Sequence, residues 1–66
     1  MDWKATKDGL TVTYRKDNLT VVWDCGERKY EVRRTDGDTE QVMEKGSSQH
    51  LDAETFLHYV EVAWGK

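Results

Sequence analysis

Leu10-Thr11-Val12-Thr13-Tyr14 and Leu19-Thr20-Val21-Val22-Trp23 lie nine positions apart, and each follows a Lys-Asp pair and then Gly9 or Asn18. Apolar and polar side chains that alternate with a period of two mark a strand with one buried face. Asp8-Gly9 and Asp17-Asn18 supply residues that tolerate positive φ, the requirement of a two-residue hairpin loop. A turn at Asp8-Gly9 places Trp3 against Tyr14, Ala5 against Val12 and Lys7 against Leu10. The same rule at Asp17-Asn18 sets Tyr14 against Val21, Val12 against Trp23 and Leu10 against Cys25. A further turn at Gly26-Glu27 sets Trp23 against Tyr30 and Val21 against Val32, so all three turns keep one face apolar.

The fourth connection admits two registers. A two-residue loop at Asp36-Gly37 pairs Val32 with Gln41, whereas a three-residue loop through Asp38 pairs Val32 with Val42; joining two valines favours the longer loop, with a bulge. The expected sheet is a five-stranded antiparallel meander over residues 2–7, 10–16, 19–25, 28–35 and 39–44. Gly46 to His50 reads as a connector. Asp52 then fits a helix N-cap, with Glu54 in the first turn to complement the helix dipole and Leu51 and Phe56 placed as a hydrophobic staple. Ala53, Phe56, Leu57, Val60, Ala63 and Trp64 share one helical stripe, and Gly65 ends it.

That stripe needs an apolar partner, and the sheet face supplies it. The chain is therefore expected to be one α+β domain over residues 1–66, with the C-terminal helix packed on the meander. The twisted sheet either stays open or curls into a small SH3-like barrel. This element order is similar to that of small barrels with a terminal helix, chromodomain-like and archaeal chromatin-protein types among them; no family motif accompanies the likeness.

Composition narrows the means of stabilisation. A chain of 66 residues hides only about 60% of its unfolded surface, so the core is small. The single Cys25 cannot form an internal disulfide, which leaves the three Trp, three Tyr and one Phe as the main source of buried area. A mean hydropathy of −0.91 suggests disorder, but the periodic clustering of aromatic and β-branched residues outweighs that average. Met1-Asp2-Trp3-Lys4 lacks the pattern of a signal peptide, and no apolar run is of membrane-spanning length. A lone thiol without an export signal points to a reducing cytoplasm. The net charge of −3 argues against a dedicated duplex-DNA binder.

Candidate chemistry is sparse. The rings of Trp3, Tyr14, Trp23 and Tyr30 are drawn together by the pairing; they read as core, with a cage for a methylated ammonium or a groove for a peptide as the functional alternative. Trp3, on an edge strand, is the ring expected to be partly exposed. Cys25, His50 and His58 match no zinc spacing, so no metal or cofactor is expected; Cys25 reads as a small buried hydrophobe and His58 as a solvent-side helix residue. Ser47, Ser48 and His50 lack an oriented partner for nucleophilic chemistry, and the five glycines occur singly, without a phosphate loop. On the outer side of the helix, Val62 is apolar where a charge is expected, and it joins Tyr59.

These readings favour a non-enzymatic protein-interaction module that acts on a larger protein as inhibitor, adaptor or accessory subunit, a role that suits phage-type host modulators. Trp3, Tyr59 and Val62 are its candidate contacts, with Arg33 and Arg34 as an electrostatic rim. The alternative is a small barrel that binds single-stranded nucleic acid or RNA through Lys4, Arg15, Lys29 and Arg33 on the face opposite the helix.

Overall fold

Where the backbone takes positive φ decides where the strands turn. In the computed structural model, which describes residues 2–65, five strands follow in chain order: β1 (Lys4–Asp8), β2 (Thr11–Lys16), β3 (Leu19–Asp24), β4 (Lys29–Asp36) and β5 (Thr39–Ser47). A helix, α1 (Ala53–Trp64), closes the domain. The strands form one open antiparallel meander in the order β1-β2-β3-β4-β5, so β1 and β5 are edges. The barrel form of the expected fold is not adopted.

The two halves of the near-repeat turn at different places. Asp17-Asn18 is a two-residue loop with Asp17 at φ 54, and it gives the expected pairs Tyr14 with Val21 and Val12 with Trp23. In the first copy the positive φ falls on Gly9 (φ 63), so the loop is Gly9-Leu10 and not Asp8-Gly9. Gly followed by a residue of ordinary φ is the type II′ pattern that suits strand twist. Ala5 consequently faces Tyr14, and Lys7 faces Val12. The shift is two residues, so the same side chains keep the same face. Leu10, expected on the apolar face, stands in the loop and is 66% exposed. Its carbonyl still accepts from Cys25 N–H at 2.8 Å.

The pairing of β3 with β4 is as expected, with Trp23 opposite Tyr30 and Val21 opposite Val32. The loop is longer, however. The Asp24 carboxylate accepts from the Gly26 and Glu27 amides at 2.9 and 3.0 Å, which ends β3 one residue early. Lys29 stands opposite Asp24 and forms its ion pair with Glu27, at 3.3 Å. Between β4 and β5 the loop is Gly37-Asp38, again with the positive φ on Gly37 (φ 63). The expected pair Val32 with Val42 does not form. The bulge lies within β5 instead: Arg33 faces Val42 and Val32 faces Glu44, which leaves Met43 as the extra residue. Met43 thereby packs against the core, while Val42 turns to the exposed face. β5 also runs on through Ser47, well past the expected end.

The helix is set by its cap. Asp52 has extended backbone (φ −97, ψ 128), and its carboxylate accepts from Thr55 N–H at 3.1 Å. Phe56, Leu57 and Val60 are buried against Leu19, Val21, Trp23 and Val32, with Ala53 and Trp64 half-buried at the margins and Ala63 exposed. Full burial of such side chains is worth about 1.5–3 kcal/mol each, so this single layer carries most of the stability. Lys16 on β2 forms an ion pair with Glu61 of α1, which ties the helix C-terminal half to the sheet. β1 is exposed along its length, but Trp3, just before it, folds into the core at 9% exposure, contrary to its expected position at the surface. Cys25, expected to be buried, is exposed in the β3–β4 loop.

Candidate functional site

The bulge in β5 creates the most distinctive side-chain arrangement of the domain. By advancing the register one step after Met43, it turns the Glu44 carboxylate toward the helix side, opposite Val32. Two residues on, Gly46 faces Tyr30. A Cβ at Gly46 would stand 3.1 Å from the Tyr30 hydroxyl oxygen and 3.3 Å from Cζ, so the missing side chain is what lets the ring lie along β5. From there the Tyr30 hydroxyl donates to Glu44 Oε2 at 2.6 Å. From the helix, Tyr59 donates to Glu44 Oε1 at 2.9 Å. One carboxylate thus joins an edge strand, the neighbouring strand and α1.

Rings surround this carboxylate. Tyr30 and Phe56 have centroids 4.4 Å apart, Phe56 and Tyr59 5.7 Å, and Trp23 lies 5.5 Å from Phe56. Tyr59 in turn meets Trp64 edge-on at 5.7 Å. Between α1 and β5 a cleft of about 460 Å³ is lined by Tyr30, Glu44, Phe56 and Tyr59, with His50, Leu51, Asp52 and Thr55 at its helix end. The hydrogen bond to Glu44, with burial and the carboxylate charge behind it, pushes the Tyr30 hydroxyl up to about 12. Its own hydrogen bond to Glu44 raises Tyr59 as well. Both phenols are held neutral as donors.

The expected contact residues are divided among three places. Tyr59 and Val62 stand one helical turn apart, 47% and 72% exposed, and Leu51 at the helix entrance is 44% exposed. Trp3 belongs to the core and does not share that surface. Arg33 and Arg34 point to opposite faces. Arg33 lies on the sheet face away from the helix, where it pairs with Glu31 and reaches Glu40 at 3.5 Å. Arg34 lies on the helix side, opposite Leu19, with Nε 3.4 Å from Asp36.

The outer face assembles most of the basic set proposed for nucleic acid. Lys4, Arg15, Thr20 and Arg33 stand in one cross-strand row, and Lys29 lies off it, beside Glu27. No aromatic residue occupies that row. Among the described residues no three of His, Cys, Asp and Glu converge as metal ligands, and no helix is long and apolar enough to cross a membrane. Glu44, Phe56 and Gly46 were not singled out by sequence as site residues. The signal for Glu44 is the bulge position, which alternation alone does not reveal. Comparison with protein-family models, with curated proteins and with solved structures returns no match.

Proposed function

We propose that the protein is a non-enzymatic interaction module of the cytoplasm that docks onto a larger protein, as inhibitor, adaptor or accessory subunit, through the face formed by α1 and β5. The observation that carries this reading is the clustering of exposed apolar side chains. Of the five large hydrophobic residues exposed among the described residues, Leu10, Val42, Leu51, Tyr59 and Val62, three lie on α1 or its entrance, and Leu51 and Tyr59 border the same cleft. Scattered apolar side chains are ordinary on a surface, whereas a group beside a concave site marks a contact. The cleft carries Glu44 and Asp52, so a partner segment with apolar and basic side chains is complementary to it.

Selection of random peptides displayed on phage, with the full chain as bait, tests this reading. Enriched peptides should bind the wild type and bind Val62→Glu at least tenfold more weakly. Loss of the buried valine contact and desolvation of a new charge together exceed the roughly 1.4 kcal/mol that a tenfold change represents. Val62 is largely exposed, so the substitution leaves the fold intact. Peptides indifferent to Val62→Glu and to Tyr59→Ala contradict the assignment.

The second reading, single-stranded nucleic acid on the outer face, draws on the Lys4, Arg15 and Arg33 row. Its weakness is that Arg33 and Lys29 are already paired with acidic neighbours. It requires binding that falls steeply with salt and a shallower slope after Arg15→Gln.

A further inference from the structure

Glu44 is the half-buried carboxylate of the cleft, and no Lys, Arg or His among the described residues lies within ion-pair distance of it. Four cations of the fold are engaged elsewhere: Lys16 with Glu61, Arg33 with Glu31 and Glu40, Arg34 with Asp36, and Lys29 with Glu27. Each Glu44 oxygen accepts one phenol hydroxyl and keeps a second lone pair for another donor. The rings beside it are tilted to one another, by 52° for Tyr30 and Phe56 and by 42° for Phe56 and Tyr59, so they form a concave wall and not a flat stack. Asp52 adds a second acidic group to the cleft, and among the described residues His50 is the one basic side chain that lines it.

An aromatic wall attracts a cation through the negative faces of its rings, and a carboxylate adds a charge-assisted hydrogen bond. The apolar surface of Leu51 and Tyr59 at the mouth suits a methylene chain. We propose that this cleft receives a lysine side chain from the docked partner, its ammonium on Glu44 and its stem along Phe56, Tyr59 and Leu51. This inference rests on the protein-docking reading above and supplies the chemistry of its partner. It concerns the helix side of the sheet, where the aromatic set differs from the four strand rings that read as core, with a cage as their alternative: Tyr30 is shared, and Phe56 and Tyr59 replace Trp3, Tyr14 and Trp23.

The test is a titration of the isotopically labelled full chain with n-butylammonium chloride, followed through the ring resonances of Tyr30, Phe56 and Tyr59, with n-butanol at matched ionic strength as the neutral counterpart. Saturable shifts confined to these rings are expected, with half-saturation in the millimolar range for a ligand of so few atoms. Binding should weaken about tenfold in Glu44→Gln, since a charged acceptor becomes a neutral one. It should also be lost in Tyr59→Ala, a change at a half-exposed site that serves if Glu44→Gln fails to fold. Linear shifts, equal shifts with butanol, or undiminished binding in Glu44→Gln overturn the proposal. If the ammonium fails while selected peptides still depend on Val62, the lysine pocket falls and the docking surface stands; if both fail, the two fall together.

Discussion

Replacing Glu44 with Gln preserves the shape of the group that both tyrosines touch, removes its charge and leaves one acceptor oxygen, so that one phenol must accept from the new amide instead of donating. The two hydroxyls lie 2.6 and 2.9 Å from its oxygens. Hydrogen bonds to a charged acceptor contribute about 1.5–3 kcal/mol and neutral ones about 0.5–1.5, and the exposure of Tyr59 lowers the difference, so the loss near neutral pH is about 1 kcal/mol. For a domain of this size that is a fall in Tm of about 4–8 °C. The alkaline range tests the cause directly. Folding raises the Tyr30 pKa from 10.0 to about 12, which favours the neutral phenol in the native state. The stability that this shift contributes is whole below pH 10 and is lost as the pH rises through about 12. Two units correspond to at most about 3 kcal/mol, and partial solvent screening reduces this to about 1–2 kcal/mol. Tyrosinate absorbance against pH is the assay, with Tyr30→Phe identifying the Tyr30 component. Glu44→Gln should move that component down toward its ordinary value and flatten the alkaline loss of stability. A titration that superimposes on the wild type refutes the reasoning, because the carboxylate would then not be what holds the phenol neutral.

Trp23→Ala removes a central ring of the core and should cost about 3–5 kcal/mol, much of the roughly 3–10 kcal/mol expected for a chain of this length; chemical denaturation checks this, and a cooperative transition near the wild-type midpoint contradicts it. Gly37→Ala has free space around the new Cβ but a φ of 63, so the expected cost of about 1 kcal/mol is conformational, and Asp38→Ala beside it should change little. Gly46→Ala should displace the Tyr30 ring by a few tenths of an ångström and lower the Tyr30 pKa with little net change in stability. An unaltered Tyr30 titration in that variant shows that the ring does not depend on the missing Cβ.

Much of the fold is legible in the alternation of the sequence. The pairs of β2 with β3 and of β3 with β4 follow from it, because the buried valines and aromatics leave one register that keeps a single face apolar. The helix follows from its stripe and from Asp52. What alternation leaves open is the exact turn. In the Lys7-to-Tyr14 copy the backbone puts its positive φ on Gly9, and in the Lys16-to-Trp23 copy on Asp17, so near-identical sequences turn one position apart. Leu10 and Leu19, equivalent in the repeat, end in the loop and in the core respectively. The bulge at Met43 is harder still to read. Both registers weighed for β5 concern the loop, whereas the structure keeps a two-residue loop and inserts the extra residue mid-strand. The candidate site depends on that insertion, since without it Glu44 would not face Tyr30 and Tyr59. The exposure of Tyr59 and Val62 was legible because apolar residues on the outer side of a helix break its polar pattern. Trp3 misled because a ring near a chain end, before an edge strand, has no periodic partner to show that it folds inward.

The α1 and β5 face, and not the outer sheet face, is the proposed meeting place with the partner. Affinity capture from nuclease-treated lysate of the source cells, run in parallel with the wild type, Val62→Glu and the doubly substituted Lys4→Glu, Arg15→Glu protein, tests it most directly. A specific protein should be retained by the wild type and the outer-face variant and lost with Val62→Glu. Retention that survives Val62→Glu but disappears with nuclease, or with the outer-face substitutions, would contradict it.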